Sequence, residues 1–473
     1  MSETNIGKRL AVIGGGPGGY PAAFLAADMG FAVTLIDLEA NPGGVCLFRG
    51  CIPSKALLHI ARVIEETAEL RACGVRFEPP ATDLAAVRAW KDSVVRRLTG
   101  GLGQLRAARK IEFIRGRARF ADRKRLRVAL ADGGERELAF DAAIIATGSR
   151  PAAIPGWPVS PRIMDSTAAL DLPDLPKRLL VVGGGYIGLE LGSVYAALGA
   201  AVTVVEMLPG LLPGADRDLV APLAKRLEKR LAAIRLQTKV ADMREEGEAL
   251  RVTLETGDGR RSEEVFDRIL VSVGRKPNSG DLGLEAAGVE LDTRGFVKVD
   301  GQRRTSDPDI YAIGDVAGEP MLAHKATHEG RAAVEAIAGR KAVFEPRAIP
   351  AVVFTDPEIA WCGLTETQAT AEGRPVKVAK FPWAASGRAM TLERTEGFTK
   401  LLADPETERV LGVGIVGPGA GEMIAEGVLA IEMGALVSDL ALTIHPHPTL
   451  SETIMESAEV FYGHCTHTIA KAR

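Results

Sequence analysis

Short apolar runs, each ending in glycine or an acid, recur along this chain, and one succession of them occurs twice. Arg9 to Ile13 reads as a buried strand and passes directly into Gly14-Gly15-Gly16-Pro17-Gly18-Gly19. An alanine-rich helix is predicted over Tyr20 to Met29, then a strand over Ala32 to Ile36 that stops at the acid Asp37. The second copy predicts a strand at Leu179 to Val182 and a turn at Gly183-Gly184-Gly185-Tyr186-Ile187-Gly188. A helix at Leu189 to Leu198 and a strand at Ala201 to Val205 follow, the strand stopping at Glu206. Runs that are apolar without alternation belong to strands covered on both faces, as in a parallel sheet flanked by helices.

The glycine spacing gives both copies a chemistry. Gly14, Gly16 and Gly19, and again Gly183, Gly185 and Gly188, allow a pyrophosphate to approach a helix N-terminus. Asp37 and Glu206 stand where a carboxylate accepts ribose hydroxyls. Two such sites imply two dinucleotides and transfer between them. The bland alternative is a duplicated fold with one dead site, and it is disfavoured because each copy keeps all its parts.

Between the copies, Phe140 to Ala146 reads as a strand running into Thr147-Gly148-Ser149-Arg150-Pro151. Ile269 to Val273 echoes it ahead of Gly274-Arg275-Lys276-Pro277. Ile310 to Ile313 is a further strand, ending in Gly314-Asp315, where an acid could reach a cofactor's polyol. From about Pro350 the pattern turns to strands and amphipathic helices without a nucleotide motif. The fold class predicted is therefore α/β: two Rossmann-like dinucleotide-binding domains and a C-terminal α+β dimerisation domain. The boundaries fall at 1–150, 151–278, 279–349 (completing the first nucleotide site) and 350–473.

Length and charge narrow the class. The chain has 473 residues, room for about three or four domains. Its net charge is −3 and no apolar span reaches transmembrane length, so neither nucleic acid nor membrane is expected as a partner. Residues 1–5 lead almost directly into the first strand, which leaves no room for a signal peptide. Cys73, Cys362 and Cys465 are scattered and form no disulfide framework, in keeping with a reducing cytoplasm.

The remaining cysteines are close together. Cys46 and Cys51 sit in Gly43-Gly44-Val45-Cys46-Leu47-Phe48-Arg49-Gly50-Cys51-Ile52-Pro53-Ser54-Lys55. A disulfide closing so small a loop would contribute roughly 2 kcal/mol of stability in the chain-entropy model. That is little for a chain of this size, so electron exchange is the better reading of the pair. Pro53 suits a first helical turn and places Cys51 near the positive end of that helix, where a thiolate is stabilised. Two buried free thiols, or half of a zinc site, are the alternatives. A zinc site usually has closer spacing and a second ligand pair elsewhere.

The two nucleotide fingerprints, the Cys-x4-Cys pair and the tail His445-Pro446-His447-Pro448-Thr449-Leu450-Ser451-Glu452 together resemble the pyridine nucleotide-disulfide oxidoreductases over essentially the whole chain. Four stretches are most similar to the dihydrolipoamide-oxidising branch of that family: Gly50 to Leu58, Met321-Leu322-Ala323-His324-Lys325, Phe381 to Ala389 and the histidine tail. The resemblance implies FAD on the first unit, with Asp37 at the adenosine ribose and Asp315 at the ribityl chain. Thr147, Gly148 and Ala323 join the same site. It implies Cys51 as the thiolate beside the flavin, Cys46 as the exchanging sulfur, and Lys55 near the flavin and paired with Glu190. A surface salt bridge is the plain alternative for that pair.

The second unit, with Glu206 and Gly274, would take the nicotinamide cofactor. No basic residue occurs in Met207 to Leu212, so a 2'-phosphate beside Glu206 would meet like charge, and NAD is expected rather than NADP. Tyr186 either gates that site or packs. His447 is the implied base, with Glu452 fixing its tautomer. Glu452 could equally serve a capping box with Thr449, and His445 is the competing base. The implied partners are a second copy of the chain, dihydrolipoamide on lipoyl domains, and the acyltransferase core of 2-oxoacid dehydrogenase complexes. His464-Cys465-Thr466-His467 lacks a full ligand set, so no metal is expected.

Overall fold

The computed structural model describes residues 7–469; the opening segment read above for a signal peptide lies outside them. Its first sheet has seven strands in the order Ile310–Ala312, Ala142–Ile145, Arg9–Ile13, Ala32–Asp37, Glu112–Asp122, Arg125–Leu130, Glu135–Ala139. The first five are parallel, with Ile13 level with Ile36 on one side and Ile145 on the other. The last two return as an antiparallel meander. The strand at Ile310–Ala312, which the sequence placed in a segment of its own, is thus an edge strand of the first sheet.

The second sheet repeats the plan with five parallel strands: Ala233–Arg235, Ala201–Val205, Arg178–Val182, Arg268–Val271, Ile163–Met164. A three-stranded meander, Thr238–Glu246, Ala249–Thr256 and Arg261–Phe266, accompanies it. The unit is inserted through two adjacent strands, Ser149–Pro151 and Arg275–Pro277, which pair antiparallel. The C-terminal part is a five-stranded antiparallel sheet, Ala351–Val353, Ile359–Gly363, Val410–Val416, Phe398–Ala403, Lys377–Pro382. Helices Ala420–Met433 and Glu452–Tyr462 pack on it around Ile424, Ile431, Ile454 and Phe461.

Two predicted helices shift at their starts. The helix expected over Leu189–Leu198 runs Tyr186–Ala197, and that over Tyr20–Met29 runs Gly19–Asp28. The last glycine of each cluster is already helical, because the closest helix–strand approach falls there and only glycine fits.

The helix Cys51–Glu69 links the units. Its Leu57 and Ala61 are buried in the core of the second unit, which also takes in Val353, Ile359 and Val416 of the C-terminal sheet. At its far end Glu69 pairs with Arg226 and Arg230 of the second unit, and Arg226 also binds Asp356, the partner of buried Arg394. A second lock joins the second unit to the C-terminal domain. Buried Lys400 donates to Asp216, Asp218 and Glu366 at 2.7, 2.9 and 2.8 Å. A buried ammonium needs such pairing and hydrogen bonding to offset its lost hydration.

Candidate functional site

The first glycine turn is built by collision avoidance. Gly14 has φ +104°, and a Cβ there would strike the carbonyl oxygen of Ala146 on the neighbouring strand. Its amide donates to Ile36 O at 2.8 Å, which draws the turn against the end of the second strand. Asp37 then accepts from Gly15 N at 2.5 Å and from Glu39 N at 2.9 Å. Burial pushes the Asp37 carboxyl up, against the pull of those two amides.

This turn lines a cavity of about 780 Å³. The cavity is lined by Gly14, Gly16 and Asp37, by Thr147, Gly148, Asp315 and Ala323, and by Cys46, Cys51, Lys55 and Glu190. Eleven of the residues singled out from sequence are therefore brought to one place. Gly19 lies behind the turn, buried at the head of its helix.

The cysteines occupy two successive helices. Cys46 lies in Gly44–Arg49, and Cys51 is the first residue of the 19-residue helix Cys51–Glu69. Both are free thiols, the reduced form of the pair. They are not equivalent. The Cys46 thiol hydrogen-bonds to Cys51 and, with the positive charge of Lys55, brings the Cys51 thiol down to about 7 from 9.0, against its desolvation. The same interaction, together with burial, pushes Cys46 far up. Although Cys51 is exposed, that exposure is to the cavity, and protein crowds the sulfur on the other sides.

Glu190 is buried and fully engaged. It accepts from Lys55 Nζ at 2.8 Å, Ser54 Oγ at 3.1 Å and Phe354 N at 3.0 Å. The surface salt bridge considered for Lys55 and Glu190 is thereby excluded on the Glu190 side. Lys55 also stands over the Phe354 ring, 4.4 Å from its centre. Ser54 and Phe354 were missed from sequence. Ser54 lies within the cysteine motif, but Phe354 is three hundred residues away and gives no local signal.

Asp315 is held by a relay also absent from the sequence reading. Arg275 donates to Ser149 Oγ and Ser149 O at 2.7 and 2.8 Å, and Ser149 in turn donates to Asp315. Buried Glu329 accepts from Gly314 N at 2.6 Å and is balanced by Arg303 and Lys325. Thr147 is fixed by reciprocal bonds with Asn278, at 2.7 and 2.9 Å. An acid four residues after Lys325 was the one available hint of Glu329.

The second turn copies the first. Gly183 has φ +109°, a Cβ on it would strike Ser272 O, and its amide donates to Val205 O at 2.9 Å. Glu206 accepts from Gly184 N at 2.7 Å and Leu208 N at 2.8 Å. Gly188 packs against Gly183, while nothing lies within 4 Å of a Cβ on Gly185 or Gly274. These residues do not line the large cavity. Tyr186 and Arg275 do, and so stand where the two sites meet. Packing around the Tyr186 phenol pushes it up to about 12, although the residue is partly open.

The histidine tail lies apart from the cysteines of its own chain. His447 and Glu452 do not line the cavity, and the His447 side chain is 74% exposed. His447 Nδ1 meets Glu452 Oε1 at 2.9 Å, while Glu452 Oε2 accepts from Thr449 N at 2.7 Å. Glu452 thus bonds both the His447 ring and the Thr449 amide, while the Thr449 hydroxyl bonds Pro446 O and Ser451 and does not close a capping box. His445 is out of contention as a free base. Its side chain is buried, and its two ring nitrogens are taken by Thr443 O and Glu426, at 2.9 and 2.8 Å.

Comparison with known proteins places this geometry. Residues 8–330 match the family described as pyridine nucleotide-disulphide oxidoreductase, and residues 349–458 match its dimerisation domain. A dihydrolipoyl dehydrogenase of Haemophilus influenzae is 49% identical over 98% of this chain and 96% of its own. One from Geobacillus stearothermophilus is 46% identical over the full length of both. The solved structure of LpdA from Mycobacterium tuberculosis superposes with a TM-score of 0.89 at 30% identity, covering 96% of this chain and 99% of that one.

Proposed function

Because the chain belongs to the pyridine nucleotide-disulphide oxidoreductase family, we propose that its residues oxidise dihydrolipoamide and pass the electrons through FAD to NAD+. One observation carries the reading: the cysteine pair opens onto the same cavity as the first glycine turn, Asp37 and Asp315. The cavity suits a flavin dinucleotide. At the turn, glycine backbone and Pro17 face it, with a side chain excluded at Gly14, and carboxylates stand at Asp37 and Asp315 for ribose and ribityl hydroxyls. Lys55 and the sulfurs line the same cavity. When bound there, the flavin supplies an acceptor for the thiols' electron pair and a hydride donor to the nicotinamide.

The chain's own residues do the sulfur and proton chemistry. With Cys46 and Cys51 joined, a substrate thiolate attacks the Cys46 sulfur; the Cys46–Cys51 bond breaks and Cys51 leaves as thiolate. Its low pKa makes it the better leaving group. The second substrate thiol then closes on the mixed disulfide, releasing cyclic lipoamide and the Cys46 thiol. His447 takes the proton of the attacking thiol, and Glu452 holds the imidazole and its positive charge. Lys55, anchored by Glu190, keeps a positive charge beside the Cys51 thiolate.

His447 is exposed and away from its own chain's cavity, so it serves the cysteines of a second copy. The dimerisation domain that carries it supports a homodimer. Lipoyl domains on the acyltransferase core of a 2-oxoacid dehydrogenase complex are the proposed source of substrate, and a reducing cytoplasm the proposed compartment. No helix among the described residues is long and apolar enough to cross a membrane. A panel of dihydrolipoamide and glutathione disulfide, each with NAD(H) and NADP(H), tests the reading. Dihydrolipoamide with NAD+ should give the highest specificity constant by at least about tenfold, a 1.4 kcal/mol difference; preference for glutathione disulfide with NADPH would overturn it.

A further inference from the structure

We propose that the end of the chain is a transition-metal site made by Glu456, Glu459, Cys465 and His467, with Zn2+ the ion its mixed S, N and O ligands suit. The final helix Glu452–Tyr462 ends at Gly463, whose φ of +80° turns the chain back along the helix it has just left. That reversal brings Cys465 Sγ to 3.0 Å from Glu456 Oε2 and the His467 imidazole Nδ1 onto Glu456 Oε1. Ligand atoms of Glu456, Glu459 and Cys465 all lie within 4.8 Å of one another. In a tetrahedral zinc site, bonds of about 2.0–2.3 Å place neighbouring ligand atoms roughly 3.3–3.8 Å apart. Glu456, Glu459 and Cys465 already approach that spacing, while His467, bonded to Glu456 outside that group, completes the set by turning its ring from Glu456 Oε1 to the metal.

Charge is the second observation. Glu456 is only 5% exposed, and among the described residues its one basic partner is His467, while Glu459 has none within ion-pair distance. The other acidic group of this kind, Asp216, Asp218 and Glu366, is occupied by the ammonium of buried Lys400 and has no vacancy for an ion. Among the described residues the tail group has no ammonium or guanidinium of this kind. A dication would compensate both carboxylates where one imidazole compensates one at most.

Without metal, the Cys465 thiol keeps its proton and donates it to Glu456 Oε2. Binding replaces its S–H bond to Glu456 with a sulfur–metal bond and releases that proton to solvent. The sequence alone hid the set, because two of its four members lie on the helix and become ligands only after the reversal at Gly463.

The test uses flavin-loaded enzyme with Cys46 and Cys51 oxidised, so that pair does not compete for metal. After chelator treatment, Zn2+ titrated against a chromogenic competitor should bind at one equivalent per chain, and Co2+ should give a thiolate-to-metal absorption band. Cys465→Ser and, separately, Glu459→Gln should weaken Zn2+ binding at least tenfold, leaving metal-free dihydrolipoamide turnover unchanged. In the unmodified chain Zn2+ should slow alkylation of Cys465 at least tenfold but not that of exposed Cys73. Unaltered Zn2+ affinity in both variants, no sulfur band with Co2+, or unprotected Cys465 would each overturn the site. Turnover on dihydrolipoamide reads the function proposed above independently of all three.

Discussion

The two glycine-turn units share nearly every backbone contact and differ in what surrounds them. In each, the acid at the end of the second strand accepts two amides, from Gly15 and Glu39 in the first and from Gly184 and Leu208 in the second. In each, a positive-φ glycine is pressed against the carbonyl of a neighbouring strand. Yet the first turn lines a deep cavity walled by the cysteine helix and by Gly314, Asp315, Met321 and Ala323. The second is open, with exposed Met207, Leu208 and Val273 beside it. One fold thus yields a site that encloses a resident group and a site that a cosubstrate enters and leaves. The distinction comes from the cysteine helix and the segment 314–323, which line the first site, while the later segments that pack on the second unit leave its turn open.

The largest expected effect breaks chemistry away from binding. Cys51→Ser should abolish dihydrolipoamide oxidation while the purified protein keeps its flavin, because the first turn, Asp37 and Asp315 are untouched. NADH should still reduce that flavin. Flavin lost from this variant would mean the cavity wall and the redox pair are not separable.

Next, His447→Ala should lower turnover about a hundredfold or more, the usual cost of losing a general base. Neither nucleotide site should change, so flavin content and the KM for NAD+ should hold. Heterodimers of Cys51→Ser and His447→Ala chains should regain about half the unmodified activity, since two-fold symmetry leaves one intact site. Purified heterodimers as inactive as both parents would sink the shared site.

The comparison is sharpened most directly by matched variants of the two acids. Asp37→Ala should release flavin on dilution, whereas Glu206→Ala should leave flavin content intact and raise the KM for NAD+ by about tenfold, roughly 1.4 kcal/mol of lost binding. Identical phenotypes would erase the division between enclosed and open sites.

The smallest effect is a pH shift. In the reduced enzyme, Cys51 should be alkylated with a rate that rises through a midpoint near pH 7. Its pKa is depressed, so thiolate is the main form above that midpoint and thiol below it. Cys46 should stay unreactive across the same range. Lys55→Met removes a charge that favours the thiolate, so the midpoint should move up. A midpoint that stays put would take Lys55 out of the electrostatics of the pair.

Legibility followed sequence distance. The strand–turn–strand units could be read almost residue by residue, because glycine spacing and uninterrupted apolar runs are local consequences of close packing. Helix starts slipped by one to three residues, and helix ends and strand bounds by one. Cys46, Cys51 and Lys55 were legible for the same reason. Asp315 was marked by its place at a strand end and Glu190 only by family likeness, and the groups around them, Phe354, Ser149, Arg275 and Glu329, were not seen. Phe354 lies 164 residues from the Glu190 it binds, and Ser149 and Arg275 meet only once the inserted unit has closed through the paired strands at 149–151 and 275–277; Glu329, nearer in sequence, offered only its spacing from Lys325. His447 was preferred to His445 by family likeness, and the coordinates add the physical difference: His445 is buried with both ring nitrogens bonded, whereas His447 is exposed.

The placement of Leu57 and Ala61 inside the core of the second unit has a mechanical consequence. The rod that carries the sulfurs is rooted in the neighbouring unit, and the locks at Lys400 and Arg226 brace that unit from behind. Hinged enzymes bring two sites together by swinging lobes over exposed, thinly packed joints. Here the joint is a continuous apolar interior, so the spacing of the sites is set when the chain folds and does not vary between turnovers. Traffic in such a molecule belongs to its ligands: the nicotinamide and the tethered lipoyl arm do the travelling, past a body that stays still.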